Sequence, residues 1–344
     1  MPQQPISAAF SSSYGIDVED CRPLGGELNQ TYAITANTGD RYVVKLFDVD
    51  TVTEHLRWQH RLLDAFVDHP DVRAPRVIRD TRHLDMVPVL CAGERSTMTA
   101  YEWLPGKILA DLDEHTDDLL DEWGRLAGHI VVTLADAPLG VGVRTTHDWD
   151  LMNAPALLRA VLPSVADAEQ IRLVQTALDW FESIVDPRRS ELPTSVVHQD
   201  LNDYNVLAEV DSAGRQHICG VIDFADALHS ARVTEIAIAA GYATLRKSDP
   251  LRALTTVVRG FHAVMPLADD ELAVLYPLAV ARLALNAATW ASRIGGPADS
   301  YGRARSQHTW ATLAALSGIP PETAGAEIRS ALAETSKTTQ REQG

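Results

Sequence analysis

The sequence predicts an α+β chain of two lobes, a small β-rich lobe followed by a larger and mostly helical one. Three observations lead there. Short stretches of alternating apolar and polar residues mark the first hundred positions, and helical spacing of apolar residues prevails from Ile108 onward. At 344 residues the chain is also long enough to build two cores. The expected division is 1–98 for the first lobe, 99–106 for a hinge and 107–318 for the helical lobe. Residues 319–344 are expected to form a short helix and a frayed tail.

The elements follow in order. QTYAITANTGDRYVVKLF (30–47) alternates on either side of the turn signal Asn37-Thr38-Gly39-Asp40 and reads as a β-hairpin. EHLRWQHRLLDAF (54–66) brings Leu56, Leu62, Leu63 and Phe66 to near-helical spacing. Short strands are expected around 76–79 and 86–90, and a third, Thr97–Trp103, runs into the turn signal Leu104-Pro105-Gly106. Helices are expected at 116–135, 153–161, 167–185, 231–245, 250–264, 269–293 and 300–316. Two apolar runs too short for helices, Thr194–Val197 and Ile218–Ile222, each lead into a polar loop.

Composition narrows the function. With 30 basic and 47 acidic residues the formal charge is −17, which disfavours nucleic acid as a partner; it serves solubility first and also suits a small cationic partner. Three cysteines without metal or disulfide spacing point to a reducing, cytoplasmic setting. The stretch before Arg22 has no Lys or Arg and no long apolar core, so no signal peptide is expected. The apolar segment 272–291 contains Pro277, Arg282 and Asn286, and reads as a buried helix rather than a membrane span. Oligomeric state is not legible in the sequence.

Four residues could together carry phosphoryl transfer, which needs phosphates neutralised by a lysine and metal ions, and an acceptor hydroxyl met by a carboxylate. Lys45 lies on the second strand of the hairpin, in YVVKLF. Asp200 follows an apolar strand in VVHQDLNDYN and is the candidate catalytic base. Asn205, five residues on, and Asp223, at the end of the next apolar run in GVIDFADA, are the candidate Mg2+ ligands. His198 is expected to brace the loop. Singly each is weak evidence; strand lysine, hinge, HxD–N loop and DF loop in this order describe a bilobal protein-kinase-like fold.

On these motifs the chain resembles the aminoglycoside phosphotransferase/choline kinase superfamily over about 8–316. Within it the chain is most similar to hydroxylysine kinase-like and aminotransferase-fused phosphotransferase domains. GGELNQTY (25–32), HQDLNDYNVL, GVIDFADALHS, VTEIAIAAGYA, HDWDL (147–151) and SYGRARSQHTWATLAAL (300–316) carry that narrower resemblance. It implies ATP or GTP as donor, with Asn29, Gln30, Lys45 and Gln59 near the nucleotide and the base read by backbone near Glu102, Trp103 and Leu104. It implies an aminated, hydroxylated small molecule as acceptor: hydroxylysine or a similar amino alcohol first, then an aminoglycoside-type antibiotic, then homoserine or choline. A pseudokinase, which binds without turnover, is disfavoured by the four intact residues.

Three departures stand out. Gln199 replaces the glycine of most small-molecule kinases and the arginine of protein kinases. Ala225 replaces the glycine of a DFG-like triplet, which alanine tolerates unless the backbone needs a positive φ. Gln59 stands where a glutamate partner for Lys45 is usual, with Glu54 upstream as the other choice. For the acceptor, the candidate contacts are the carboxylates Asp203, Asp226, Asp150 and Glu235, the face of Trp149 for a cation, and Arg282 for a carboxylate or an internal ion pair. The acidic run 111–123 reads as a solvated helix face.

Overall fold

A computed structural model describes residues 3–25, 29–48, 53–91, 93–147, 149–293, 302, 306 and 308–342. The chain forms two compact units, one of Met1–His69 with Arg73–Pro105, the other of Pro70–Val72 with Gly106–Gly344.

The first unit is an antiparallel sheet with helices. Its strands are β1 (Val18–Pro23), β2 (Gln30–Ala36), β3 (Arg41–Asp48), β4 (Val77–Ile78), β5 (Val87–Cys91) and β6 (Glu94–Glu102). They run in the order β1-β2-β3-β6-β4, with β5 also on β6. The expected hairpin is β2–β3, and Gly39 supplies its left-handed turn position at φ 89°. Its register places Lys45 between Thr31 and Thr99 on the neighbouring strands. The residues expected as a hinge begin inside β6, because Thr99–Glu102 still pair with Tyr42–Lys45.

Among the described residues this unit has two helices, α1 (Gln3–Tyr14) and α2 (Thr53–Asp64). The first was not anticipated. Ile6, Phe10 and Tyr14 recur every four residues, all three are buried, and they join Tyr32, Ile34, Val44, Met98 and Ala100 in one core. Trp58, Gln59, His60 and Leu62 of α2 are buried, whereas Glu54 is half-buried and pairs with Arg57 at 2.5 Å.

In the second unit eight helices dominate among the described residues. They are α3 (Asp117–Leu134), α4 (Ala154–Val161), α5 (Ala168–Trp180), α6 (Val233–Ala243), α7 (Pro250–Val264), α8 (Asp269–Ser292), α9 (Thr309–Ser317) and α10 (Pro321–Glu342). Two small sheets support the loops: β7 (Lys107–Ile108) and β10 (Gln216–Val221) flank β9 (Val206–Val210), and β11 (Leu228–Ala231) pairs with β8 (Thr194–Val197). Helix α8 is long and apolar enough to cross a membrane, yet 94% of its apolar window is buried by the rest of the chain. It is a core helix.

Helices α3 and α7 pack at backbone contact through glycines. A Cβ on Gly124 would lie 1.9 Å from the Val257 carbonyl oxygen, and one on Gly260 would lie 2.0 Å from that of Asp121. The acidic run at the start of α3 is not simply solvated: Asp121 pairs with Arg125 and Arg259, Asp117 with Arg252, and Glu122 with His217. The expected frayed tail is instead the 22-residue helix α10, with Ala324, Ile328 and Leu332 buried at four-residue spacing. Of the helix expected over 300–316, Thr309–Ser317 is seen; the rest of that stretch, apart from Gly302, Ser306 and His308, lies outside the described residues, as do Gly26–Leu28 and Asp148.

Candidate active site

Strand β8 delivers the chain into the loop His198–Asn205, whose first three residues set its geometry. His198 is fully buried; its Nε2 lies 3.0 Å from the Ile222 carbonyl oxygen and its Nδ1 accepts from the Asp200 amide at 3.2 Å. That pairing defines an imidazole with its proton on Nε2, and burial lowers its pKa and keeps it neutral. The ring thus ties the 198–205 loop to the end of β10, as expected of a brace, and packs edge-on against Phe224 with centroids 4.5 Å apart.

Gln199 takes a left-handed backbone, φ 69°, which costs a non-glycine residue about 1–2 kcal/mol. The fold holds it there on three sides. Its amide donates to Glu235 Oε2 at 3.2 Å, its Nε2 donates to the Trp149 carbonyl at 3.3 Å, and its Oε1 accepts from Thr234 Oγ1 at 3.1 Å. The departure from glycine is therefore answered by bonds that a glycine side chain would lack.

Asp200 is 18% exposed and heavily constrained. Arg282 Nη2 and Asn202 Nδ2 donate to its Oδ1 at 2.5 and 2.8 Å, and Asn205 Nδ2 donates to its Oδ2 and its carbonyl at 2.8 Å each. The Asn205 amide nitrogen thus points at Asp200, leaving its amide oxygen for another partner. Ile222 N donates to the Asn205 carbonyl at 2.9 Å, so the loop after β10 lies alongside and brings Asp223 close to Asn205. Asp223 is exposed and also left-handed, φ 66°; Ala225 is not, which explains why alanine serves in the third position.

The other expected acceptor contacts divide. Asp226 stays near the site, with His147 Nε2 3.4 Å from its Oδ1. Burial, reinforced by Asp200 and Asp223 and opposed by Arg282 and Arg144, pushes its carboxyl up to about 7. Glu235 does not face the site: it is fully buried beneath Gln199, and burial pushes it up to about 8. Asp150 is buried as the cap of a short helical turn, accepting from the Met152 amide and Ser230 Oγ. Asp203 is buried, with Arg246 3.6 Å away. Trp149 does offer its face to a cation, but the cation is Arg282, whose Cζ lies 5.1 Å from the ring centroid. Arg282 in turn pairs with Asp200, the internal partner among its two expected ones.

In the first unit Lys45 is half-buried on β3, Asn29 is half-buried and Gln30 exposed at the start of β2. Gln59 is buried, with His55 Nε2 2.8 Å from its Nε2. The amides of Glu102 and Trp103 donate to the carbonyls of Arg76 and Arg41, so a donor for a base would come from Leu104 onward. Arg41 stacks on the Trp103 ring at 3.7 Å, and Arg73 pairs with Glu102 at 3.0 Å.

Sequence reasoning missed Asn202, Thr234 and Tyr242 as parts of this cluster. Asn202 had a local signal, since asparagine two residues after an aspartate readily bonds back within a loop. Thr234 and Tyr242 had none, because their partners lie 35 and 44 residues away.

Residues 20–275 match the model of the APH family, described as "Phosphotransferase enzyme family". The chain is 26% identical over 291 residues to the hydroxylysine kinase of Xenopus laevis, covering 78% of this chain and 76% of that protein. Among solved structures it resembles an amicoumacin kinase in complex with AMP-PNP and Ca2+, at 16% identity and a TM-score of 0.65 over 91% of this chain and 94% of that one. It also resembles a microcompartment-associated aminopropanol kinase, at 19% identity and a TM-score of 0.62 over 95% and 98%. Fold and site together are those of a small-molecule kinase with a protein-kinase-like fold. The chain belongs to the APH phosphotransferase family and is a phosphotransferase with an alcohol group as acceptor. Enzymes of this class draw the phosphoryl group from a nucleotide bound with a divalent cation.

Proposed function

We propose that this protein transfers the γ-phosphate of ATP or GTP, with Mg2+, to a hydroxyl of a small aminated molecule, hydroxylysine or a similar amino alcohol before all others. The observation that carries this reading is the Asp200 cluster. One carboxylate is held by three side-chain donors yet keeps an exposed edge, beside an asparagine oxygen and an exposed aspartate on the next loop. Asp200 is the base that orients the acceptor hydroxyl and receives its proton. Asn205 Oδ1 and Asp223 are hard oxygen donors of the kind Mg2+ takes, and they fit that ion together with phosphate oxygens. Bound there, Mg2+ would neutralise charge on the phosphates. Lys45 orients the phosphates, with Asn29, Gln30 and Gln59 near the nucleotide and the base met by the backbone after Glu102 and Trp103, its amide donor coming from Leu104 onward.

For the acceptor, Asp226 is the carboxylate best placed to meet an amine, and the similarity to hydroxylysine kinase supports that substrate first. We place the enzyme in the cytoplasm. The test is a panel of hydroxylated amines against ATP and GTP with Mg2+: hydroxylysine, aminopropanol, homoserine, choline and aminoglycosides. Turnover highest on hydroxylysine or an amino alcohol supports the reading. Turnover confined to aminoglycosides would replace it with an antibiotic kinase, and nucleotide binding without any turnover with a pseudokinase.

A further inference from the structure

We propose that Arg282 is a positioning residue for Asp200, fixing the orientation in which that carboxylate meets the acceptor hydroxyl. The inference rests on the reading of Asp200 as the base. An arginine buried in an apolar helix is costly unless its charge and all its contacts are matched. Arg282 is the single charged residue between Leu272 and Ala291, and it is buried.

Its guanidinium is held on several sides, with Nε the nitrogen left without a hydrogen-bond partner among the described residues. Nη2 donates to Asp200 Oδ1 at 2.5 Å and Nη1 to the Trp149 carbonyl at 3.4 Å. The guanidinium lies against two aromatic rings, 5.1 Å from that of Trp149 and 5.6 Å from that of Tyr242. Tyr242 is itself held by Asn286, one turn along α8, which donates to its hydroxyl at 3.1 Å and accepts from Thr309 at 3.0 Å. The Trp149 carbonyl is gripped from its other side by Gln199 Nε2. Two routes therefore run from Arg282 into the loop, one to the Asp200 carboxylate and one through Trp149 to the residue before it. A planar fork with aromatic contacts serves this purpose, and an ammonium on a flexible stem does not.

The arrangement has a consequence for the acceptor. The face of Trp149 is already occupied by the protein's own cation, so it does not serve the amine of the acceptor.

The experiment compares Arg282→Lys, Arg282→Met and Arg282→Ala with the parent and with Asp200→Asn, on an acceptor that turns over. Arg282→Met is expected to lower kcat about 100-fold while nucleotide KM stays within about threefold, since loss of about 1 Å of precision has that scale. Arg282→Lys should lose about tenfold. Methylguanidinium should restore part of the kcat of Arg282→Ala and leave the parent unchanged, which a purely structural role would not produce. The proposal is overturned if Arg282→Met keeps kcat within threefold, or if kcat falls with nucleotide affinity and no rescue occurs. Asp200→Asn separates the two claims. If it is inactive while Arg282→Met is not, only the role of Arg282 fails; if it turns over normally, the reading of the base fails first.

Discussion

Two loops in the second unit each turn on a non-glycine residue in left-handed backbone, and they are held very differently. In the loop His198–Asn205, Gln199 is completely buried and bonded to Glu235, Thr234 and Trp149. In the loop after β10, Asp223 has the same backbone, φ 66° against 69°, but its side chain is exposed. The first loop locates a carboxylate and is locked from beneath. The second presents a carboxylate outward and carries Asp226, whose pKa is raised by burial first and then by the neighbouring Asp200 and Asp223. The difference matches the division of labour proposed for them: an acceptor hydroxyl needs a fixed base, whereas a cation carried in with the nucleotide needs an accessible ligand.

This comparison breaks first at Gln199. Gln199→Ala keeps the strained backbone and removes both side-chain hydrogen bonds, so it should cost about 1–3 kcal/mol of stability, read by denaturant unfolding. Gln199→Gly loses the same bonds but relieves the left-handed strain, and should be more stable than Gln199→Ala by about 1 kcal/mol. Equal stability of the two variants would mean that the left-handed conformation carries no cost.

A pH-dependent effect, at least as large as that at Gln199, is expected from the carboxyl beneath. Glu235 is raised from 4.5 to about 8, so the folded state binds its proton more tightly than the unfolded state. Its contribution therefore makes stability fall as pH rises from about 4.5 through about 8. Melting temperatures of the parent and Glu235→Gln across pH 5 to 9 should diverge, the variant gaining relative to the parent with rising pH. A constant difference would show that Glu235 is ionised in the fold throughout. The smallest effect belongs to Ala225, which lies outside the left-handed region. Ala225→Gly should shift stability by less than about 1 kcal/mol and leave kcat within twofold, by the same unfolding and rate assays.

How much the sequence disclosed depends on the range of the forces involved. The hairpin, α2 and the helices from α3 to α8 were legible because apolar spacing and turn residues are local signals. Helix α1 was missed although Ile6, Phe10 and Tyr14 mark one face, because the serines between them obscure the pattern. Motif order singled out Lys45, Asp200, Asn205 and Asp223; the fold bonds Asn205 to Asp200 and runs the strand end before Asp223 alongside them, while Lys45 lies on β3. The carboxylates expected at the acceptor could not be sorted this way, because proximity along the chain does not say which way a side chain faces: Glu235, Asp150 and Asp203 are buried in the fold, whereas Asp226 is partly exposed beside His147. Arg282 stood out as a charge in an apolar helix, but its pairing with Asp200 spans 82 residues and belongs to the tertiary structure alone.

The most direct test of the account is phosphate transfer by Asp200→Asn, measured beside nucleotide binding by the same preparation. Removing a general base lowers kcat by about 10²–10⁴-fold, and the account expects that loss with nucleotide affinity retained. Transfer at the parent rate by a folded, nucleotide-binding Asp200→Asn protein would contradict it.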